Sequence, residues 1–255
     1  MHRFLVCSKF SKFLAPKNKF CDFFANSIAN ALPTPELAPV ITIFLNFEIM
    51  AKPLNFITFE GIEGCCKSTQ AKKLYEYFLT NQTNSILTRE PGGTKAGEKI
   101  RTILMDEEID KLEAKTELLL NYASRIEHIE KIIKPAIDQG KIVICDRFFD
   151  SSYAYQGGAM GLGFDYVSKL NNLVLNDFAP DITFFIDISL QEGLKRTAKR
   201  SENNRYDKLG EQFHQKIYDS YFKLAKNNSR IKIIDGMKNS DEVFQQILTI
   251  INQNI

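Results

Sequence analysis

From Asn55 onward, short apolar runs alternate with longer segments whose apolar positions recur at helical spacing. The apolar runs predict five strands, at 56–59, 85–88, 141–145, 182–187 and 231–234. The segments between them predict helices, at 67–79, 97–105, 113–137, 164–176, 211–226 and 240–252, with one more beginning at the capping-box spacing of Ser189 to Glu192. Strands that are apolar throughout are buried on both faces. The pattern therefore predicts an α/β fold, a five-stranded parallel sheet with helices on both faces.

Residues 1–49 do not follow this pattern. Basic residues precede the first acid, Asp22, phenylalanine is frequent, and neither a helical nor a strand period is visible. We therefore expect a disordered N-terminal extension over 1–49 and a folded domain over 50–255. Three interpretations of the extension stay open: an upstream misread start with Met50 as the first residue, an organelle transit peptide, which is basic and poor in acids, or a real appendage.

Composition and charge exclude several classes of protein. The chain has 255 residues, 44% of them apolar, enough for one domain with a sizeable core. A formal net charge of only +2 argues against a protein that coats nucleic acid. No apolar run approaches the ~20 residues of a membrane-spanning helix. The five cysteines form no repeated metal-type pair and no even disulfide set, which indicates a reducing compartment.

The segment from Gly61 to Thr69 follows the first predicted strand and opens the first predicted helix. Phosphate-binding loops lie at this place, where successive backbone N–H groups and a helix N-terminus cradle phosphate oxygens. Lys67 would reach the terminal phosphates of ATP, and the Ser68 hydroxyl would hold Mg²⁺. The candidate ATP-binding residues are Gly61, Ile62, Glu63, Gly64, Cys65, Cys66, Lys67, Ser68 and Thr69.

Cys66 breaks the pattern of this loop. The motif G-x-x-x-x-G-K-[ST] has a glycine there, which lets the backbone turn and approach phosphate without a Cβ in the way. If the position needs a positive φ, cysteine adds strain of about 1–3 kcal/mol, which we expect to fall partly on nucleotide binding. Cys65 and Cys66 also lie beside Lys67 at a helix N-terminus, which predicts a lowered thiol pKa. Taken alone, the segment also fits a plain strand-to-helix turn with an exposed lysine.

Three further polar clusters follow predicted strands or lie close behind them. Thr88 to Thr94 contains a Pro-Gly-Gly turn after the second strand, and Asp146-Arg147 ends the third. An aspartate there suits the ligand shell of Mg²⁺, and an arginine offers a planar fork for phosphate. The segment 151–158 holds hydroxyl, amide and aromatic groups suited to a nucleobase. Each cluster in isolation also fits a turn, a surface ion pair or a polar loop.

Together these clusters resemble the bacterial form of the thymidylate kinases, from about Leu54 to the C-terminus. The resemblance rests on Phe59 to Gly64, Lys67 to Gln70, Thr88 to Thr94, Ala123 to Arg125, Asp146-Arg147 and Tyr155 to Gly158. It implies a P-loop NTPase fold and transfer of the γ-phosphoryl group of ATP to dTMP, giving dTDP for dTTP supply. It also implies Mg²⁺ as cofactor, a homodimer and a cytoplasmic location, or an organellar one if residues 1–49 are a transit peptide.

The resemblance also implies roles for single residues. It assigns catalysis to Lys67, Asp146, Arg147 and Arg200, and metal binding to Ser68 and Asp146. It assigns dTMP binding to Glu63, Arg89, Arg101, Arg125, Arg147, Ser152, Tyr155 and Gln156. Glu63 would accept from the sugar 3′-hydroxyl, and Tyr155 would crowd the place of a ribose 2′-hydroxyl. The segment at about 196–208 resembles the family's mobile lid, which carries Arg200.

The chain departs from the family at two positions. Cys66 replaces the loop glycine, and Asn121 stands where the family often has a phenylalanine that stacks on thymine, so that Tyr122 is a candidate for that role. Three functions are weighed on this basis. The first is an active dTMP kinase, the second a catalytically impaired nucleotide-binding relative because of Cys66, and the third a kinase of another nucleotide.

Overall fold

The computed structural model describes residues 54–109, 112–198 and 205–253, without the side chains of residues 207 and 208. The predicted extension at 1–49 and the predicted lid arginine, Arg200, lie outside the described residues.

The sheet has five parallel strands in the order β2-β3-β1-β4-β5. They are β1 Phe56–Glu60, β2 Ser85–Arg89, β3 Ile142–Asp146, β4 Ile182–Asp187 and β5 Ile231–Asp235. Every residue of the central strand β1 is buried, whereas the edge strand β2 has none that is buried. The prediction of a five-stranded parallel sheet is confirmed.

Nine α-helices lie in the described ranges, and none of them is both long and apolar enough to cross a membrane. They are α1 Lys67–Thr80, α2 Lys95–Met105, α3 Ala114–His128, α4 Lys134–Asp138, α5 Phe149–Ser152, α6 Phe164–Leu175, α7 Leu190–Thr197, α8 Glu211–Asn227 and α9 Ser240–Asn252. Helix α2 begins two residues before its predicted start because the Thr94 side chain accepts from Gly97 N and caps the helix there. Ser189 caps α7 as its spacing predicted.

Helices cover both faces of the sheet. Adjacent residues of a strand point to opposite faces. On β3, Ile144 joins the apolar cluster packed by α1 and α9, whereas Val143 and Cys145 join the cluster packed by α3. Because the five strands are also parallel, their polar carboxyl ends lie together at one rim of the sheet.

The sequence did not predict that α5 continues into a π-helical segment, Tyr153–Ala159. The Gly157-Gly158 pair indicates a turn when it is read alone. In the structure Gly158 makes room for a neighbouring helix instead, because a Cβ there would lie 1.9 Å from Ser220 Oγ of α8. A close helix contact therefore explains Gly158, and the 151–158 cluster lies on a helical element and not on a turn.

Candidate active site

The carboxyl ends of β1, β2 and β3 meet at one point of the rim. Asp146 at the end of β3 is paired in register with Phe59 of β1 on one side and Arg89 of β2 on the other. A cavity of about 780 Å³ opens there, within the range typical of ligand sites. Ligands in open parallel sheets bind at such a place, outside the carboxyl ends of the strands.

The predicted phosphate loop connects β1 to the N-terminus of α1 and forms one wall of the cavity. Glu63, Cys66, Lys67, Ser68 and Thr69 line the cavity, whereas Gly61, Ile62, Gly64 and Cys65 lie behind them. The loop needs glycine at Gly64, where φ is 79° and a Cβ would lie 2.5 Å from the carbonyl oxygen of Gly193. The loop therefore bends closely around the start of α1, whose N–H groups and dipole favour an anion.

Cys66 is the last residue before α1 and has φ 67° and ψ 29°, the left-handed region that glycine adopts without strain. Cys66 therefore has the positive φ that was named above as the condition for backbone strain. Its side chain is exposed on the cavity wall. Because the loop already has this conformation, the strain of about 1–3 kcal/mol lowers the free energy of unfolding. What remains in the way of a phosphate is the thiol side chain.

The two adjacent cysteines differ in their surroundings. Cys65 is buried and its Sγ lies 3.5 Å from Lys67 Nζ. Burial raises the pKa of the Cys65 thiol, and the Lys67 charge offsets this only in part. The prediction of a lowered pKa is therefore wrong for Cys65, because the apolar core that surrounds it disfavours the thiolate.

Ser68 and Asp146 form a pair of oxygen donors at the cavity. The Ser68 hydroxyl donates to Asp146 Oδ2, and Asp146 Oδ1 is buried without a hydrogen-bond partner among the described residues. A buried carboxylate oxygen without a partner is costly unless something occupies it. Hydroxyl and carboxylate oxygens are ligands that Mg²⁺ accepts, together with phosphate oxygens and water. These two residues therefore fit a Mg²⁺ ion that a bound nucleotide would help to hold.

Arg89, Arg101 and Arg147 also line the cavity, and together they form its arginine wall. Burial, and then the charge of Arg89, lower the pKa of the Arg101 guanidinium, with Arg147 contributing in the same direction. Arg89 also pairs with Glu98 at 2.9 Å, so part of this positive charge is already balanced. Three guanidinium groups at one cavity nevertheless provide the charge and the hydrogen-bond donors that a phosphate requires.

Arg147 connects this wall to the phosphate loop, because its Nη1 donates to the backbone oxygen of Gly61 at 3.2 Å. Its Nη2 donates to Glu63 Oε1 at 2.6 Å and to the Tyr155 hydroxyl at 3.2 Å. Burial alone would lower its pKa, but Glu63, Tyr155, Tyr221 and Glu60 together outweigh burial and raise the pKa well above the ordinary value. Its backbone φ of 70° is strained for a non-glycine residue, as is common at functional sites.

The remaining residues predicted to bind dTMP occupy two different layers. Ser152, Tyr155 and Gln156 line the cavity, but Arg125 does not. Arg125 is buried behind the wall, where its Nε donates to Glu90 Oε2 at 2.7 Å and its Nη1 donates to Ser152 Oγ at 3.2 Å. Arg125 thus orients Ser152, which lines the cavity.

Asn121 lines the cavity and donates to the backbone oxygen of Glu117 at 2.9 Å, whereas Tyr122 is buried beneath the Arg125 guanidinium. The structure therefore leaves Tyr122 no place to take over the stacking role.

Three residues at or near the cavity received no individual role from the sequence, although Arg196 and Tyr206 belong to the segment predicted as the lid. Tyr206 lines the cavity, and Arg196 Nη1 lies 3.9 Å from the Cys66 thiol. Glu117 is buried and bonds to Gln156 from behind the wall. A signal for Glu117 did exist, because it precedes Arg125 by eight residues and so lies on the same face of α3.

Glu60, at the end of β1, makes the stability of the fold depend on pH. Burial, and then the charge of Asp150, raise the pKa of its carboxyl from 4.5 to about 7. Between these values the folded protein holds a proton that the unfolded chain has released, so stability falls as pH rises from about 4.5 to 7, by about 3 kcal/mol in total. Glu60→Gln should remove this slope in urea unfolding at pH 5 and pH 8. The exposed Glu211→Gln is the control, and an equal slope in both variants would contradict the assignment.

Comparison with known proteins shows the family of the chain. The family model described as thymidylate kinase matches residues 59–247. A thymidylate kinase from Thermosipho melanesiensis is 47% identical over 197 residues, covering 77% of this chain and 97% of the relative. One from Mycoplasma capricolum is 44% identical over 203 residues, covering 78% and 95%. The crystal structure of the enzyme from Ehrlichia chaffeensis, 38% identical, has a TM-score of 0.63 and covers 78% of this chain and 98% of its own. The chain belongs to the thymidylate kinase family.

Proposed function

We propose that the protein transfers the γ-phosphoryl group of ATP to dTMP, giving dTDP. The observation that carries the proposal is that the phosphate loop and three arginines, Arg89, Arg101 and Arg147, line one and the same cavity. Two anion sites in one cavity suit a donor phosphate and an acceptor phosphate that must meet for transfer. Phosphoryl transfer depends mainly on such positioning and on neutralising charge.

The loop side would bind the phosphates of ATP. The N–H groups at the start of α1 meet phosphate oxygens, and Lys67 adds a full positive charge. Lys67 Nζ now donates to the neutral carbonyl of Ile62 at 2.9 Å. Exchange of this acceptor for a charged phosphate oxygen gives a stronger, charge-assisted hydrogen bond.

Ser68 and Asp146 would hold Mg²⁺, which when bound neutralises charge on the transferred group. We propose that Arg200, outside the described residues, brings a further positive charge from the lid.

The arginine side would bind dTMP. Arg101 and Arg147 would hold its phosphate, with Arg89 nearby. Glu63 would accept from the sugar 3′-hydroxyl, because its carboxylate lies between Arg147 and Tyr155 at the base of this wall. The Tyr155 ring fills the space beside it and would exclude a 2′-hydroxyl. Ser152 and Gln156 would contact the thymine base.

A homodimer is part of the proposal. Helix α3 exposes Leu119 and Ile126, which lie seven residues apart and so on one face of the helix. Light scattering of the purified protein gives the test, and a monomer at micromolar concentration would contradict it.

A panel of acceptors tests the proposed reaction. With ATP and Mg²⁺, dTMP should be the best acceptor, dUMP weaker because it lacks the 5-methyl group, and UMP very poor. Tyr155→Ala should raise the turnover of UMP relative to dTMP, because it opens the space beside the sugar. Tyr153→Phe, on the same helical segment but outside the cavity lining, is the matched control. Equal turnover of dTMP and UMP by the parent protein would rule out the role of Tyr155.

A catalytically impaired relative is the alternative, and it rests on Cys66. We expect Cys66→Gly to raise kcat/KM for ATP about fivefold or more, equal to about 1 kcal/mol, because it removes a side chain from the phosphate approach. Thiol reagents should inactivate the parent through this exposed residue, and ATP should protect it. Cys65→Ala is the control, since that thiol is buried. Unchanged ATP kinetics in Cys66→Gly would show that the loop tolerates the thiol.

A further inference from the structure

Glu117 is a buried carboxylate beside the candidate base site, and the roles above leave it without a function. Its Oε1 accepts from Gln156 Nε2 at 2.7 Å and from the Tyr206 hydroxyl at 2.8 Å. Its Oε2 forms an ion pair with the guanidinium of Arg205. Each of these contacts is a donor to the carboxylate, as burial of a charged group requires.

This arrangement decides which way the Gln156 amide points. A side-chain amide has a donor end and an acceptor end that are nearly equal in shape, so its hydrogen-bond partners determine the orientation. A carboxylate can only accept, and therefore the Nε2 end of Gln156 must face Glu117. Among the described residues, none donates to the Oε1 end. Because Gln156 lines the cavity, the wall presents this oxygen as an acceptor.

A donor lies next to that acceptor. Ser152 Oγ accepts from Arg125 Nη1, so the Ser152 hydroxyl hydrogen is directed elsewhere and can be donated into the cavity. Ser152 and Gln156 are four residues apart on one continuous helical element and so share a face. A donor beside an acceptor matches O4 and N3–H of thymine. Cytosine presents the reverse, an amino donor beside an unprotonated ring nitrogen.

We propose that Glu117 is a positioning residue that selects thymine over cytosine by holding the Gln156 amide with its oxygen toward the base. The proposal rests on the proposed function, because it takes the monophosphate of a pyrimidine deoxynucleoside as the acceptor. Glu117 touches neither substrate in this scheme, and it acts through Gln156.

The first test is Glu117→Gln, which keeps the side-chain shape but gives Gln156 a partner that can donate as well as accept. The amide of Gln156 then loses its single orientation. We expect the ratio of kcat/KM for dTMP to that for dCMP to fall about tenfold or more, with KM for ATP unchanged. Asp150→Asn is the matched control, because Asp150 is also a buried carboxylate paired with an arginine, Arg230, and does not line the cavity. It should lower stability and leave the ratio unchanged.

A double-mutant cycle separates positioning from a general structural effect. Gln156→Met removes the acceptor, and in that background Glu117→Gln should not change the dTMP to dCMP ratio further. A further drop in the ratio, or an unchanged ratio in the single Glu117→Gln variant, would overturn the proposal. If Glu117→Gln does not fold, Glu117→Asp, which keeps the charge and draws it away from Gln156, takes its place in the cycle.

Calorimetric Kd values for dTMP and dCMP repeat the comparison without turnover. A parent protein that prefers dTMP in binding but transfers no phosphoryl group would contradict the proposed reaction and leave the role of Glu117 intact. A parent with no binding preference would overturn the role of Glu117.

Discussion

Lys67→Ala is expected to lower kcat/KM for phosphoryl transfer by about 100-fold or more, about 3 kcal/mol. Lys67 begins α1, is buried on the cavity wall, and its ammonium is held by a single carbonyl and a thiol of the loop. It is therefore positioned before any ligand arrives, and its charge meets phosphate at little reorganisation cost. Coupled assays with ATP and dTMP give the measurement.

Lys73→Ala provides the matched control for Lys67. Lys73 lies on the same helix, but its ammonium pairs with Asp241 at 2.7 Å and does not line the cavity. A surface ion pair of this kind contributes about 0–1 kcal/mol to stability, so its loss should leave kcat/KM within about twofold. Near-normal turnover by Lys67→Ala would show that the loop is not the phosphate site.

Arg147→Ala should also lower kcat/KM about 100-fold or more, mainly through the acceptor nucleotide. Its guanidinium touches the loop carbonyl of Gly61, Glu63 and Tyr155, and so connects the ATP side of the cavity to the dTMP side. Without it, the Glu63 carboxylate would be left partly buried beside a bound anion. Arg147→Lys should recover only part of the loss, because an ammonium cannot reproduce the planar fork.

Arg230→Ala separates the catalytic loss from the loss of a buried ion pair. The Arg230 side chain is 12% exposed and pairs with Asp150, while that of Arg147 is 15% exposed and pairs with Glu63. Both variants should therefore lower the melting temperature. Only Arg147→Ala should raise KM for dTMP, and equal kinetic losses in both would attribute the effect to stability alone.

The elements of the fold were predictable because each is a local pattern. Apolar runs such as Ile182–Asp187 can be buried on both faces only within a covered sheet, and Ser189 marks the start of its helix by its own side chain. The segment Tyr153–Ala159 was missed because its helical form depends on contact with α8, which comes more than fifty residues later.

The residue types of the candidate site and their order along the chain were also readable from the sequence. Each motif follows a strand, and the ends of parallel strands meet at one rim. In the structure Lys67, Asp146 and Arg147, which follow different strands, line a single cavity.

The burial and orientation of the site side chains could not be predicted from the sequence, because they depend on contacts between segments that are distant along the chain. Sequence proximity to Lys67 suggested a reactive Cys65, but the core around it raises its thiol pKa. Arg125 was expected to bind dTMP, but it packs against Tyr122 and lies behind Ser152. The orientation of Gln156 follows from Glu117, 39 residues away on another helix. A linear pattern thus specifies which groups can react, whereas packing determines which of them face the cavity, because desolvation and hydrogen bonding act through space.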